Sequence, residues 1–231
     1  MDTVNIEELA KALGIEVKNP AFFQEALTHR SYLNENRGYQ YPHNERLEFL
    51  GDAVLELAVT EFLFAKYPKK PEGELTNLRA ALVNGDMLGS IGKDIGIDDF
   101  LLMSRGEAKD TGRARNYLLA NAMEAVIGAL HSDQGYEAAK AFIEKCIFTK
   151  LDVVISEGLY TDAKSHFQEK AQEHTGVTPN YRILKEAGPD HDRNFTAGVY
   201  IEDELIAEGE GTSKQEAQRA AAKNAIEVKS W

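Results

Sequence analysis

The sequence predicts a multi-domain chain, an all-α N-terminal domain followed by a small α+β domain of order α-β-β-β-α, and three observations predict it. Over residues 1 to about 150 apolar residues recur at three- and four-residue spacing, and nothing alternates like a strand. From about residue 162 the pattern becomes one amphipathic helix, then alternating stretches, then an alanine-rich helix. At 231 residues, 43% hydrophobic and 28% charged, the chain is long enough for two modest cores and ordinary in composition.

The helical part is punctuated at Asn19-Pro20, at the polar residues 34–42, at residues 67–73 with their two prolines, and at residues 105–115, rich in charge and glycine. The last two read as surface loops. In the second part a helix runs from about Ala163 to His174, with Asp162 as N-cap, Phe167 and Ala171 four apart on its apolar face, and Gly176 just past its end. Tyr181 and Ile183 share one face of a first strand. Phe195, Ala197, Val199 and Ile201 repeat every second residue in the next, and Glu202-Asp203 turns the chain into a third over 205–207. Ser213, with Glu216 three residues later, forms a capping box that opens the last helix, ending near Val228. The domains are therefore 1–150 and 162–231, joined by 151–161, of which 151–155 also fit as the end of the preceding helix.

Charge and composition exclude several classes. The net charge of −12 argues against a protein that coats nucleic acid by bulk electrostatics, so any such contact must be patchy. No window approaches the roughly 18 consecutive apolar residues of a membrane span, and residues 1–14 carry acids among their apolar positions. The chain reads as soluble and cytoplasmic, with no membrane partner. Cys146 is the only cysteine and can form no intrachain disulfide, while Phe142, Ile143 and Ile147 around it suggest a buried helix position.

The most informative segment is residues 43–57. At about 100° per residue, Glu45, Glu48, Asp52 and Glu56 fall within an arc of roughly 80°, and Leu47, Leu50, Val54 and Leu57 occupy the opposite side. Stacked like charges cost a few tenths of a kcal/mol per pair, so a hard cation with oxygen ligands would give the cluster a reason. A solvated amphipathic helix fits the same spacing. Gly51 tips the balance, because glycine inside a helix costs about 1 kcal/mol against alanine and so suggests close approach by a partner helix or ligand. A second helix, at 119–129, carries Asn121 and Glu124 one turn apart among small residues that permit tight packing. It could bring an amide oxygen and a carboxylate to the first cluster, and a buried small-residue helix with a satisfied polar pair fits equally.

Residues 43–52, HNERLEFLGD, resemble the signature of the ribonuclease III family. The likeness continues through Leu27-Thr28-His29-Arg30-Ser31-Tyr32, Glu72-Gly73, Leu78-Arg79-Ala80, the helix from Asn121 to Gly128 and the whole second domain. It implies a helical endonuclease that uses Mg²⁺, with Mn²⁺ able to substitute, and that works as a homodimer with one active site per subunit. Such an enzyme cleaves double-stranded RNA to 5′-phosphate and 3′-hydroxyl products with short 3′ overhangs, as in rRNA and mRNA precursor processing. By the same resemblance Glu48, Asp52 and Glu124 are metal ligands and catalytic residues. Glu45 is a further catalytic acid, and Glu72 lines the valley near the dimer partner. One or two ions, about 4 Å apart where two bind, would activate a water and stabilise the leaving oxygen, with no protein nucleophile. Asn121 stands where relatives have aspartate. Its amide oxygen can still bind the metal but carries no charge, which leaves a non-cleaving double-stranded RNA-binding protein as the alternative.

The second domain resembles the double-stranded RNA-binding domain through residues 164–169, Pro179-Asn180-Tyr181, 188–191, Phe195 and 209–214. The resemblance implies that Gln168 serves one minor groove, the loop with Pro189 and His191 the next, and that Ser213, Lys214, Gln215 and Gln218 meet the backbone at the start of the last helix. Gln215 stands where relatives often have a second lysine, so weak, sequence-tolerant affinity is expected from this domain alone.

Overall fold

A computed structural model describes residues 3–160, 163–188 and 193–231. The chain divides into two compact units, Met1–Tyr160 and Thr161–Trp231. The first holds α1 (Ile6–Leu13), α2 (Pro20–Ala26), α3 (Arg30–Glu35), α4 (Glu45–Lys66), α5 (Glu72–Val83), α6 (Gly85–Asp94), α7 (Arg113–Gln134), α8 (Tyr136–Cys146) and α9 (Leu151–Ser156). Leu151 and Val154 of α9 belong to this unit's core, so only part of 151–161 serves to join the units. Among the described residues no helix is long and apolar enough to cross a membrane.

The unit is organised around α4 and α7, each of 22 residues. Small side chains set how closely they approach. A β-carbon on Gly51 would run into the Glu124 carbonyl, and one on Gly128 into the Leu47 carbonyl, so the two backbones touch where each has a glycine. The close approach suggested by Gly51 is thus to a helix.

In one respect α4 departs from the sequence reading. Its buried stripe is Leu47, Gly51, Val54, Leu55, Ala58, Val59 and Leu63, while Leu57 is 50% exposed. The apolar side of α4 is therefore not simply opposite its acids. It borders them, because α7 packs on the Gly51 flank. Leu57, Phe49 at 81% exposure and Phe64 at 72% form a second, outward apolar face.

The start of α4 is fixed by a buried polar knot. Gln24 accepts from the Val4 amide at 3.0 Å and from the Tyr39 hydroxyl at 3.0 Å, and donates to the Val4 carbonyl at 2.8 Å. Thr28 Oγ1 donates to the Gln24 carbonyl at 2.6 Å, and the Thr28 carbonyl accepts from the amide of buried Asn44, the residue before α4, at 2.9 Å. The segment also pairs with the chain near Leu102, through His29 N to Leu102 O and Leu102 N to Leu27 O, both 2.8 Å. These bonds set α3, and with it Arg30, beside the first turn of α4.

The second unit packs α10 (Ala163–Thr175) and α11 (Lys214–Lys229) on one face of an antiparallel sheet of order β1 (Asn180–Ala187), β2 (Asn194–Ile201) and β3 (Glu204–Gly211). The alternation predicted the inward face: Phe167, Ala171, Phe195, Ala197 and Val199 are buried with four alanines of α11. The third strand is longer than predicted, and its register against β2 shifts at Val199/Tyr200. Ile206 is thereby buried while Leu205 remains 41% exposed, an irregularity that period-two counting does not register. Glu202, at φ +54°, makes the hairpin turn. The proposed N-cap Asp162 lies outside the described residues.

Candidate functional site

The four acids of α4 divide into two kinds. Glu45 is gripped by Arg30, with Nη2 to Oε2 and Nε to Oε1 both at 3.0 Å. Glu56 is paired with Arg79, whose Nε lies 3.3 Å from Oε2 and whose Nη1 donates to Thr60 Oγ1 at 2.9 Å. Glu48 and Asp52, between them, have no basic partner among the described residues, and neither has Glu124. The outer acids are neutralised by arginines from α3 and α5, and the inner ones are left with one another.

Burial and charge act together on Glu48 and Glu124. Burial raises the Glu48 carboxyl above its ordinary value, and the charges of Glu45 and Asp52 raise it further. Glu124 is pushed up to about 7, first by burial and then by Asp52 and Glu48. Contact between Glu124 and Gly51 explains the coupling, since the α7 backbone at Glu124 lies against α4 one residue before Asp52. Two separate stretches of chain therefore bring three carboxylates within electrostatic reach. Asn121 is half-buried one turn before Glu124.

Whether a divalent cation fits here rests on charge and donor type. Half-buried carboxylates close to one another, with no cation of the protein's own to relieve them, are what a hard ion neutralises. Among the described residues no three His, Cys, Asp or Glu side chains are grouped closely enough to hold a metal ion as they stand. Glu72 is not part of this group. It opens α5 exposed to solvent, seven residues before Arg79, or about 10 Å of helix.

In the second unit, Ser213 caps α11 by accepting from Glu216 N at 3.2 Å. Glu216 reaches back to the Thr212 amide at 2.9 Å, one residue earlier than a simple capping box requires. Lys214 follows the cap, with Nζ 2.8 Å from Glu186 Oε1 and 5.6 Å from the Phe195 ring centre, so an incoming phosphate would compete with that carboxylate. Gln215 is exposed beside it, and Gln218 accepts from Lys164 Nζ at 2.8 Å. Gln168 is exposed on α10. Pro189 and His191 lie outside the described residues. Sequence reasoning did not find the roles of Arg30 and Arg79, because an ion pair between helices leaves no periodic trace.

Two family models match the chain, Ribonuclease-III-like over residues 19–151 and Double-stranded RNA binding motif over residues 163–229. Ribonuclease 3 of Carboxydothermus hydrogenoformans is 46% identical over 228 residues, covering 99% of this chain and 97% of that protein. Ribonuclease 3 of Enterococcus faecalis is 44% identical over 229 residues, with 98% of each covered. Among solved structures, the nuclease domain of ribonuclease III from Campylobacter jejuni, described with a region involved in dimer formation, matches at a TM-score of 0.57. It is 43% identical, covering 63% of this chain and 97% of that one.

Proposed function

The chain belongs to the ribonuclease III family and is an endoribonuclease with a double-stranded RNA-binding domain, and we propose that it cleaves RNA duplexes with Mg²⁺ held by Glu48, Asp52 and Glu124. The observation that carries this reading is the division among its acids: Glu45 and Glu56 have arginine partners, and the three proposed ligands have none among the described residues. Mn²⁺ substitutes. When bound, the metal supplies an acidified water and neutralises charge on the phosphate and leaving oxygen.

The chain's own residues prepare for that. Glu124, pushed up to about 7, holds a proton for much of the time near neutral pH and releases it as a cation arrives, so metal uptake is linked to proton release. Arg30 keeps Glu45 engaged at the rim of the catalytic valley, where it faces substrate more than ion. Asn121 offers an uncharged amide oxygen. Glu72, exposed at the start of α5, acts across the valley beside a second subunit. The outward apolar face of α4, with Phe49, Leu57 and Phe64, joins two copies into a homodimer whose paired sites cut both strands. Products carry 5′-phosphate and 3′-hydroxyl ends with short 3′ overhangs, and the substrates are structured rRNA and mRNA precursors in the cytoplasm.

The second unit holds the duplex. A-form RNA hides its base edges, so recognition rests on 2′-hydroxyls and phosphates. Gln168 meets a minor groove, the loop with Pro189 and His191 the next, and Ser213, Lys214, Gln215 and Gln218 the backbone at the α11 N-terminus. The test is a long RNA duplex with Mg²⁺. The natural chain should cleave it, and Glu124→Gln should bind it with similar affinity and leave it whole. If the natural chain also leaves it whole, the chain is a binder disabled by Asn121; a Glu124→Gln chain that cuts at the normal rate removes Glu124 from the site.

A further inference from the structure

The middle of helix α7 is so deeply packed that it opens to solvent along one line. From Tyr117 to Leu130 every residue is buried except Tyr117, Asn121 and Glu124. Offsets of four and seven residues place these three within an arc of about 60°. The stripe that carries the two proposed metal-site residues of α7 therefore carries a third side chain, a tyrosine 64% exposed. It has no ring, hydrogen-bond or ion-pair partner among the described residues.

The backbone on either side of it is packed in place. The preceding Asn116 is locked against α6, with Nδ2 3.4 Å from the carbonyl oxygens of Gly85 and Asp86 and no room for a β-carbon on Gly89. Leu118, Leu119 and Ala120, which follow, are all buried. Direction also follows from the packing. Leu47 lies against Gly128 and Gly51 against Glu124, so residue numbers run in opposite senses along the two helices. Going from Glu124 back to Tyr117 leads from Asp52 towards Glu56, over about 10 Å of helix.

We infer that Tyr117 is a substrate-positioning residue whose phenol hydroxyl hydrogen-bonds the sugar–phosphate backbone of the duplex beside the scissile phosphate. The inference rests on the proposed site at Glu48, Asp52 and Glu124. Bases in an intact duplex are stacked and out of reach, which leaves phosphate oxygens and 2′-hydroxyls as partners. A phenol can donate to either and accept from the latter, and its ring tolerates a half-wet position.

The test compares Tyr117→Phe, Tyr117→Ala and Glu124→Gln in the full chain on one RNA duplex. Removing a single hydroxyl should lower kcat/KM about three- to tenfold. It should weaken duplex binding by a similar factor when introduced into the Glu124→Gln chain. The melting temperature, the dimer and the Mg²⁺ concentration for half-maximal rate should all stay unchanged, and Tyr117→Ala should lose at least as much as Tyr117→Phe. If Glu124→Gln is inactive while both tyrosine variants bind and cut like the natural chain, Tyr117 touches no substrate and the metal-site reading stands. If Tyr117→Phe acts by making the protein monomeric, the residue belongs to the subunit interface and the inference is overturned. Normal cleavage by Glu124→Gln would sink the site and this inference together.

Discussion

At the scale of single residues, Glu124 would join stability to the proposed chemistry. Burial, then Asp52 and Glu48, raise its carboxyl from 4.5 to about 7 in the folded chain. A raised carboxyl pKa means that the fold favours the protonated form. The resulting stability is complete below the unfolded value near 4.5 and is lost as pH rises through about 7. With divalent ions chelated, the melting temperature of the first unit should therefore fall between pH 5 and 8, and added Mg²⁺ should restore it most at the alkaline end. Glu124→Gln, which cannot ionise, should flatten both effects. A variant whose melting temperature tracks pH and Mg²⁺ as the natural chain does would show that the strain lies elsewhere. The acids themselves were legible, since helical spacing alone groups Glu45, Glu48, Asp52 and Glu56. The charge that each one keeps was not, because Arg30 and Arg79 arrive from other helices.

At the scale of elements, the proposed active face depends on how closely α4 and α7 approach. Gly51 and Gly128 each face the other helix's backbone, so a methyl group at either must push the helices apart or bend one of them. We predict that Gly51→Ala costs at least about 2 kcal/mol of stability, well beyond a surface glycine-to-alanine change, which usually helps helices. Gly73→Ala is the control, since that glycine has open space around its missing β-carbon. Equal melting temperatures for the two variants would mean that the helices can part freely. Gly51 told of this contact in advance, through its cost inside a helix. What counting could not supply was the side of α4 that α7 would choose. Packing on the Gly51 flank buries Leu55 and Val59 and turns Leu57 outward, so the buried stripe borders the acids. In the second unit the alternation in β2 announced the inward face. The shifted register of β3 depends on pairing with β2 and has no local signature around Ile206.

At the scale of the whole molecule, the outward face of α4 is an unspent apolar surface on a chain that carries a net charge of −12. Leu57 is 50% exposed and Phe64 is 72% exposed, and they lie seven residues apart, two turns along one side of the helix. Neither supports the core of its own unit, so replacing them should leave the fold nearly as stable as before. A double variant, Leu57→Glu with Phe64→Glu, places two carboxylates where a second copy would bring two more. Like charges brought together out of water are strongly disfavoured, so a dimer formed through this face should dissociate. Sedimentation should then find the natural chain as a dimer at micromolar concentration and the double variant as a monomer, with melting temperatures within a few degrees of each other. On a duplex, a monomer with one intact site should leave nicks in single strands where the dimer severs both, and a denaturing gel beside a native gel separates those products. A natural chain that sediments as a monomer yet severs both strands would show that each chain cuts twice. A double variant that remains dimeric would move the interface off this face of α4.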